Sequence, residues 1–245
     1  MTQVAIVTGA SRGIGASTAR LLAARGYCVA VNYRTEPEAA RNLCAEIEVN
    51  GGRSIAVKAD VSKADQVARM FEIVDEELGP ITALVNNAAS IGPSTRVAEL
   101  DLAELERLIA VNVIGVVHCT QQALRRMSKT YGGAGGAIVN VSSGSAYVGE
   151  PGSGVHYATT KGAVNSFTIG LAQEVMAEGV RVNAVSPGPT NTAMPHPGAL
   201  ERGAQALPAG RVGEPEEVAE AIVWLLSPAA SFVSCANIRI AGGKP

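Results

Sequence analysis

The alternation of short apolar runs with amphipathic stretches constrains the fold of this chain more than any other sequence feature. Such runs are typical of strands buried on both faces, and the stretches between them carry apolar residues at helical spacing. We predict strands at Val4 to Thr8, Cys28 to Tyr33, Ser54 to Ala59, Ala83 to Asn86, Ala137 to Ser142, Arg181 to Ser186 and Asn237 to Ala241. The pattern indicates repeated βαβ units around one parallel sheet, which is an α/β fold.

Two long amphipathic stretches are predicted helices, from about Leu102 to Met127 and from about Tyr157 to Ala177. In an open parallel sheet, ligands bind outside the carboxyl ends of the strands, so we expect the functional residues to follow strands. The stretch from Pro187 to Glu214 is rich in Gly, Pro and Ala and has no clear period. We interpret it as a lid over the substrate, because long loops in compact domains are commonly functional.

Length and composition fit one globular domain over residues 1–245. Hydrophobic residues make up 47% of the chain and charged residues 17%, which supplies enough apolar material for a sizeable core. The formal net charge is −2, and the Lys and Arg residues are scattered. This distribution gives no electrostatic footprint for a nucleic acid or an anionic membrane, so we expect neither partner.

The N-terminal residues and the cysteines favour a cytoplasmic protein. Met1 leads directly into an apolar run, without the basic region and cleavage site of an export signal, and no apolar stretch approaches the length of a membrane span. The four cysteines lie far apart, at Cys28, Cys44, Cys119 and Cys235. Their spacing predicts reduced, mostly buried thiols, and we expect no metal site.

A glycine-rich turn follows the first predicted strand and opens the first predicted helix. It runs from Thr8 through Gly9, Gly13 and Gly15, with the spacing G-x-x-x-G-x-G. At such a position the pyrophosphate of a dinucleotide can rest on the N–H groups of the helix. The spacing alone could also serve only to reverse the chain, but its place at the start of an α/β pattern favours dinucleotide binding.

The end of the second predicted strand bears on the choice of cofactor. An acidic residue there would hydrogen-bond the 2′-hydroxyl of NAD, whereas a cation would attract the 2′-phosphate of NADP. The segment from Val31 to Arg34 carries no acid, and both Arg34 and Arg12 could reach a 2′-phosphate. The alternative is that both arginines are solvated surface groups. We predict that NADP(H) is preferred over NAD(H).

Tyr157 and Lys161 are four residues apart, so on a helix they share a face at about 6 Å along the axis. A free tyrosine has a pKa of about 10, and lowering it by about 3 units takes roughly 4 kcal/mol. One ammonium at about 4 Å supplies on the order of 4 kcal/mol at an effective dielectric constant of about 20. The spacing therefore predicts that Lys161 lowers the pKa of Tyr157, although such pairs are commonly mere surface neighbours.

These motifs, taken in order along nearly the whole chain, resemble the short-chain dehydrogenase/reductase family. The resemblance rests on the T-G-x-x-x-G-x-G turn from Thr8, Asp60, Asn86-Asn87-Ala88, Asn112 in Asn-Val-x-Gly, Ser143, Tyr157-x-x-x-Lys161, and Pro187-Gly188 with Thr192. It implies a single Rossmann-type doubly wound sheet, mainly of seven parallel strands, flanked by helices. It also implies hydride transfer between a nicotinamide dinucleotide and a carbonyl or alcohol carbon, and assembly into a homotetramer.

The resemblance assigns roles to four side chains. Tyr157 would donate a proton to the substrate oxygen during reduction, or remove it during oxidation. Lys161 would bind the nicotinamide ribose and tune Tyr157, while Ser143 would hydrogen-bond the substrate oxygen. Asn112 would hold a water that connects Lys161 to solvent.

Alternatives remain at some of these positions. Ser142 and Ser145 compete with Ser143, because the loop that follows them varies in length. Asn112 could instead satisfy a helix kink. His156 is expected to be structural or to form a pocket wall, not to act as a base.

The cofactor contacts that the resemblance implies come from the glycine turn, the ends of the strands and the segment after the sixth strand. They are Gly9, Ser11, Arg12, Gly13, Ile14, Gly15, Tyr33, Arg34, Asp60, Val61, Asn87, Ala88, Tyr157, Lys161, Pro187, Gly188, Thr190 and Thr192.

Two departures from the family pattern affect detail. Ala89 stands where the family commonly has glycine, which adds a methyl group near the expected path of the adenosine. Ser234-Cys235 replaces a Thr-Gly pair before the last strand, in a region that often forms a subunit contact, and leaves the oligomeric detail open. Four apolar residues could belong either to a subunit contact or to the core, namely Val113, Val116, Val117 and Leu171.

The substrate is a small molecule that the sequence does not name. The expected wall of its pocket is Ser145, Tyr147, Pro151, His156, Pro189, Met194 and the following loop. This wall carries no cluster of cations for a carboxylate or an acyl-carrier partner. A sugar, a small ketone or aldehyde, a quinone and a 3-oxoacyl thioester all remain, since a fold does not name a substrate.

Two other classes compete with a redox enzyme. A catalytically idle dinucleotide-binding protein that senses the redox state would keep the glycine turn but would have no need of the four assigned side chains together. An isomerase or dehydratase would use the cofactor only transiently. A net change in nicotinamide absorbance separates the redox enzyme from both.

Overall fold

A computed structural model describes residues 3–196 and 198–244. Seven strands form one sheet: β1 (Val4–Val7), β2 (Cys28–Tyr33), β3 (Arg53–Lys58), β4 (Ala83–Asn86), β5 (Gly136–Val141), β6 (Val180–Pro187) and β7 (Asn237–Ile240). The strand order is β3-β2-β1-β4-β5-β6-β7, and every neighbouring pair is parallel. The predicted Rossmann-type α/β fold is therefore confirmed, and each predicted strand matches to within one residue at either end.

Helices connect the strands and cover both faces of the sheet. In the described part of the chain they are α1 (Gly13–Ala24), α2 (Pro37–Val49), α3 (Ala64–Glu77), α4 (Leu102–Ile109), α5 (Gly115–Met127), α6 (Ser145–Val148), α7 (Val155–Val175), α8 (Ala199–Ala206) and α9 (Pro215–Leu226). Successive side chains of a strand point to opposite faces. Ala5 and Val7 of β1 therefore join a core with α1, α2 and α9, whereas Val4 and Ile6 join a core with α3, α5 and α7.

The sheet changes its winding direction at β1. This strand pairs with β2 on one side and with β4 on the other. Connections therefore leave β1 in opposite directions, and a crevice opens at the carboxyl ends of β1 and β4. The glycine turn after β1 and the residues after β4 both border this crevice.

The predicted helix from Leu102 to Met127 is interrupted. A π-helical segment, Ala110–Ile114, separates α4 from α5. The amide of Asn112 is buried there and hydrogen-bonded outside the helix, and a Cβ at Gly115 would lie 2.7 Å from Val61 Cγ2. The prediction of one regular helix is thus wrong at its centre, because this turn is shaped by contacts to other segments. Such π-bulges are frequent at functional sites.

The stretch from Pro187 to Glu214 contains more regular structure than the missing period indicated. Helix α8 lies within it, and an isolated parallel bridge joins Thr190 to Gly213. Pro197, which also falls in this stretch, lies outside the described residues. A short helix of eight residues gives too few turns for its period to stand out among Gly, Pro and Ala.

The apolar residues that could belong either to the core or to a subunit contact differ in their burial. Val116 and Leu171 are buried, whereas Val117 on α5 is 41% exposed. Among the described residues, no helix combines the length and the apolar character that crossing a bilayer requires. The four cysteines are unpaired, with Cys28 and Cys119 buried.

Candidate active site

Polar side chains tie the glycine turn to the ends of the two strands that flank β1, namely β2 and β4. Thr8 Oγ1 accepts hydrogen bonds from the backbone N–H groups of Asn87 and Ala88, both at 3.0 Å. The Asn87 side chain donates in return to the carbonyl oxygens of Thr8 and Gly9, at 2.8 and 3.0 Å. Asn32 Oδ1, at the end of β2, accepts from the N–H of Gly9 at 3.1 Å. The turn is therefore held from both sides of β1.

The turn needs glycine for both conformation and space. Gly9 and Gly13 have φ values of +61° and +56°, in the left-handed region that glycine adopts without steric cost. A Cβ at Gly15 would lie 2.5 Å from Asn87 Nδ2 and 2.7 Å from the carbonyl oxygen of Gly9. The start of α1 therefore lies close against the crevice, where the first N–H groups of a helix lack acceptors within the helix and favour an anion. This cradle fits the pyrophosphate of a dinucleotide.

Two adjoining cavities lie along the crevice. A cavity of about 370 Å³ is lined by most of the predicted cofactor residues, namely Gly9, Ser11, Arg12, Gly13, Ile14, Tyr33, Arg34, Asp60, Val61, Asn87, Ala88 and Thr192. A second cavity of about 470 Å³ is lined by Ser143, Tyr157, Lys161, Pro187, Gly188 and Thr190. Ile14, Asn87 and Thr192 line both cavities. The cofactor cavity therefore opens onto the predicted catalytic side chains, whereas Gly15 and Asn112 line neither cavity.

Both arginines predicted at a 2′-phosphate are paired with acids. Arg12 Nη1 lies 3.0 Å from Glu36 Oε1, and Arg34 Nη1 lies 3.9 Å from Asp60 Oδ2. Both pairs line the smaller cavity. Glu36 lies two residues beyond the segment that we considered free of acids, and tertiary structure brings it to the cavity rim. An acid so soon after the end of β2 is the sequence signal for this residue.

Tyr157 and Lys161 are buried on α7, but their electrostatics differ from the prediction. Lys161 Nζ donates to the carbonyl oxygen of Val141 at 2.8 Å and lies 5.8 Å from the centre of the Tyr157 ring. Burial raises the pKa of Tyr157 to about 12, although the hydroxyl of Ser143 lowers it. Burial also lowers the pKa of Lys161 to about 8. The predicted lowering of the Tyr157 pKa is wrong for this geometry, because desolvation of the phenolate outweighs its favourable contacts.

The three candidate serines all line the larger cavity but have different partners. Ser142 Oγ donates to the carbonyl oxygen of Lys161 at 3.1 Å, and Ser145 Oγ donates to Glu150 Oε1 at 3.0 Å. Ser143 Oγ instead accepts a hydrogen bond from the N–H of Ser145 at 3.1 Å. The Ser143 hydroxyl also acts on Tyr157, whose pKa it lowers, so Ser143 is the candidate serine coupled to Tyr157.

Asn112 connects three segments around the site. Its amide donates to the carbonyl oxygen of Ser90 at 2.8 Å and to Thr160 Oγ1 at 3.0 Å, and its Oδ1 accepts from the N–H of Ser90 at 2.8 Å. Thr160 Oγ1 donates in turn to the carbonyl oxygen of Tyr157. Asn112 therefore connects the loop after β4 to the turn of α7 that carries Tyr157 and Lys161. This arrangement is close to the alternative in which Asn112 satisfies a kink in the helix, and its hydrogen-bond partners there are Ser90 and Thr160.

The predicted substrate wall is only partly correct. Ser145, Pro189 and Met194 line the larger cavity, whereas Tyr147, Pro151 and His156 do not. Tyr147 is exposed and stacks against the guanidinium of Arg239, 5.2 Å from the ring centre. Side chains that the sequence did not single out also line the cavity, among them Glu150, His196 and Lys244.

His156 is structural. It is buried, and its Nε2 lies 3.0 Å from the carbonyl oxygen of Pro93. This contact anchors the loop after β4 to the start of α7.

Two residues other than glycine have positive φ within the described residues. They are Glu150, with φ of 46°, and Cys235, with φ of 68°. Glu150 lines the larger cavity and Cys235 is exposed just before β7. Such backbone conformations cost of order 1–3 kcal/mol and concentrate at functional sites. Cys235 occupies the place at which the family commonly has glycine, which accounts for its strain.

Comparison with known proteins identifies the family of the chain. The profile of the family described as enoyl-(acyl carrier protein) reductase matches residues 9–244. The chain is 45% identical over 98% of its length to the uncharacterized oxidoreductase YgfF of Escherichia coli, covering 99% of that protein. It is 40% identical to a 3-oxoacyl-[acyl-carrier-protein] reductase of Synechocystis, over 98% of this chain and 96% of that one.

Solved structures show the same likeness. A short-chain dehydrogenase from Burkholderia cenocepacia, crystallised in complex with NADP, is 33% identical and superimposes with a TM-score of 0.91 over 99% of this chain and 97% of that one. The chain belongs to the short-chain dehydrogenase/reductase family, as the sequence motifs predicted. It is an NAD(P)-dependent oxidoreductase.

Proposed function

We propose that this enzyme transfers a hydride between NADP(H) and the carbonyl or alcohol carbon of a small substrate, with Tyr157 as the proton-transfer group. One observation carries the proposal: Tyr157, Ser143 and Lys161 line a single cavity that opens onto the glycine-turn cavity. A hydride donor and a proton donor would thus face the same substrate. Positioning of this kind supplies much of the rate enhancement in two-reactant chemistry.

Each side chain has a role that its environment supports. The cofactor, when bound, supplies or accepts the hydride at C4 of its nicotinamide. Tyr157, with its pKa raised to about 12, holds its proton at neutral pH and can donate it to a substrate oxygen. Ser143 donates a hydrogen bond to that oxygen, and the Lys161 ammonium binds the ribose hydroxyls. Asn112 holds the loop after β4 against the turn of α7 that carries Tyr157 and Lys161.

The preference for NADP(H) rests on Arg12 and Arg34 at the smaller cavity. Their partners Glu36 and Asp60 are the acids that a 2′-phosphate must displace or outcompete. Both arginines are more than half exposed, and exposed ion pairs hold little free energy. A phosphate, which accepts paired hydrogen bonds from a guanidinium, is the stronger partner.

The remaining expectations concern the whole protein. We propose a cytoplasmic homotetramer with one domain over residues 1–245. The segment from 187 to 214 would cover the substrate, since Pro189, Thr192 and Met194 already line the cavity wall. The exposed side chains of Ile114 and Val117 on the outer face of the α4 to α5 region would contribute to a subunit contact.

The test is a cofactor titration followed by a substrate panel. NADPH and NADH are titrated while nicotinamide fluorescence is followed, and ketones, aldehydes and sugars are then added while its absorbance is recorded. We expect tighter binding of NADPH, and a loss of kcat of about 10²- to 10⁴-fold in Tyr157→Phe with the cofactor Kd unchanged. Tyr131→Phe, which removes a hydroxyl that is exposed on the surface, is the matched control. Undiminished turnover in Tyr157→Phe would reject Tyr157 as the proton-transfer group.

The cofactor arm uses Arg34→Ala. We expect about tenfold weaker binding of NADPH and unchanged binding of NADH, because only the former carries a phosphate for the guanidinium. Arg41→Ala, an exposed residue on α2 outside both cavities, controls for the loss of surface charge. Equal or better turnover of NADH by the unmodified enzyme contradicts the predicted preference, and no binding of either cofactor contradicts the dinucleotide site.

A further inference from the structure

The larger cavity contains a carboxylate that the proposed hydride and proton transfers do not use. Glu150 lines this cavity together with Ser143 and Tyr157. Its side chain is half-buried, and its backbone has a φ of 46°, a value that residues other than glycine rarely adopt. The carbonyl oxygen of Glu150 accepts from the N–H groups of Ser153 and Gly154. A tight turn therefore holds the carboxylate at the cavity wall.

A short hydrogen-bonded chain connects Glu150 to the catalytic serine. Ser145 Oγ donates to Glu150 Oε1 at 3.0 Å, while the N–H of Ser145 donates to Ser143 Oγ at 3.1 Å. The charge of Glu150 also acts on Tyr157, whose pKa it raises further. The carboxylate is thus close to the point where the substrate oxygen would meet Ser143 and Tyr157. Only one of its oxygens is engaged by Ser145, and a carboxylate accepts several hydrogen bonds.

We propose that Glu150 is a specificity-determining residue that accepts a hydrogen bond from a substrate hydroxyl on the carbon next to the reacting carbonyl. This inference rests on the proposed function and names its substrate class: α-hydroxy carbonyl compounds and the vicinal diols formed from them. A neutral donor suits the cavity better than a cation, since Lys161 and Lys244 also line it. A substrate with a carboxylate at the same place would be repelled by Glu150.

The test compares two ketones of matched size, hydroxyacetone and 2-butanone, in which a hydroxyl replaces a methyl group. The hydroxyl also changes the reactivity of the carbonyl. The measured quantity is therefore kcat/KM for hydroxyacetone divided by kcat/KM for 2-butanone, determined for each variant. Dividing the ratio of one variant by that of another cancels the intrinsic reactivity. Any remaining difference reports the contact between the hydroxyl and residue 150.

Glu150→Gly removes the carboxylate and suits the positive φ, so the variant keeps its turn. We expect the ratio to fall about tenfold in Glu150→Gly, since hydrogen bonds to charged groups are the stronger kind. In Glu150→Gln, which keeps an acceptor without the charge, we expect an intermediate fall. Glu174→Gln removes the same charge from the exposed surface of α7, outside the cavity lining, and should leave the ratio unchanged.

A binding measurement separates recognition from chemistry. In Tyr157→Phe loaded with NADPH, turnover is slow enough for nicotinamide fluorescence to report the Kd of each ketone before the cofactor is consumed. Hydroxyacetone should bind more tightly than 2-butanone, and the additional Glu150→Gly change should abolish that difference.

The outcomes distinguish this inference from the proposed function. Turnover with a ratio that stays within twofold in Glu150→Gly overturns the role of Glu150 and leaves the proposed function intact. A lower Kd for pyruvate or aminoacetone than for hydroxyacetone likewise overturns the stated substrate class. No turnover of hydroxyacetone by an enzyme that turns over another substrate of the panel overturns this inference alone. No change in nicotinamide absorbance with any ketone, aldehyde, sugar or alcohol contradicts the proposed function, and this inference with it.

Discussion

The cofactor side and the catalytic side of the crevice are built differently. On the cofactor side, backbone atoms approach one another closely, and a Cβ at Gly15 would collide with the carbonyl oxygen of Gly9. On the catalytic side, Lys161 is buried with its pKa lowered to about 8, and Glu150 has a strained backbone. The first region requires positions that have no side chain. The second region contains a buried charge and a strained backbone, both of which lower the stability of the fold. Stability and function should therefore respond to mutation together on one side and in opposite directions on the other.

The largest expected effect is on the cofactor side. Gly15→Ala should lower the free energy of unfolding by about 3 kcal/mol, because the added methyl group meets backbone atoms that cannot move aside. Binding of NADPH should weaken at least tenfold in the same variant, since the start of α1 must shift. Thermal denaturation and fluorescence titration measure the two effects.

Gly170→Ala is the matched control for this change. Gly170 is an exposed residue of α7, and a Cβ there would meet nothing within 4 Å. Alanine is the better helix former, so the free energy of unfolding of this variant should rise by about 0.5–1 kcal/mol. If Gly15→Ala were as stable as Gly170→Ala and bound NADPH normally, the close approach of the turn would not matter.

On the catalytic side, Lys161→Met should stabilise the fold and abolish turnover. The pKa of Lys161 is about 8 in the folded protein, below the ordinary value of 10.5. The unfolded chain therefore binds more protons between these values, and the free energy of unfolding rises with pH from about 8 to about 10.5. Below pH 8 the buried ammonium costs about 3 kcal/mol at 1.36 kcal/mol per pKa unit. The lost hydrogen bond to Val141 offsets about 1 kcal/mol of the gain.

We therefore expect Lys161→Met to be about 2 kcal/mol more stable at pH 7, and to lose this advantage between about pH 9 and pH 10, above which the unmodified enzyme is the more stable by about 1 kcal/mol. Denaturant unfolding across this pH range measures both. Lys63→Met, at an exposed position, should show no such pH dependence. A destabilised Lys161→Met at pH 7 would show that the buried ammonium contributes to stability, against the comparison.

The smallest expected effect lies at the second strained residue. Cys235→Gly should gain about 1 kcal/mol, because glycine adopts a φ of 68° without steric cost. Cys235→Ser retains the strain and should leave Tm unchanged, which separates the backbone effect from loss of the thiol. Because Cys235 lies outside both cavities, neither change should alter cofactor binding. Equal Tm values for the glycine and serine variants would contradict the backbone explanation.

Much of the fold was predictable because its signals are local. Each strand is a short apolar run between turn residues, and each helix carries its own period, so neither needs knowledge of distant segments. The π-helical segment around Asn112 escaped prediction because the contacts that shape it are not local. The bonds that stabilise it come from Ser90 and Thr160, which are 22 and 48 residues away.

The candidate site was predicted unevenly for the same reason. Gly9, Gly13, Tyr157 and Lys161 belong to short motifs with fixed spacing, and the structure places them at the crevice. The pairing of Arg12 with Glu36 joins α1 to the segment before α2 and has no local signature. The raised pKa of Tyr157 was also missed, because helical spacing gives the distance to Lys161 but not the desolvation that burial imposes.

The sequence by itself determined the parallel sheet, the glycine turn, the Tyr-x-x-x-Lys motif and the family. These depend on periodicity and spacing, which are properties of neighbouring residues. Only the tertiary structure decided which charges meet in the cavities, that Lys161 donates to Val141, and that Glu150 is linked through Ser145 to Ser143. The free energy of a charge depends on its burial and on partners from distant segments, and these exist only once the chain has folded.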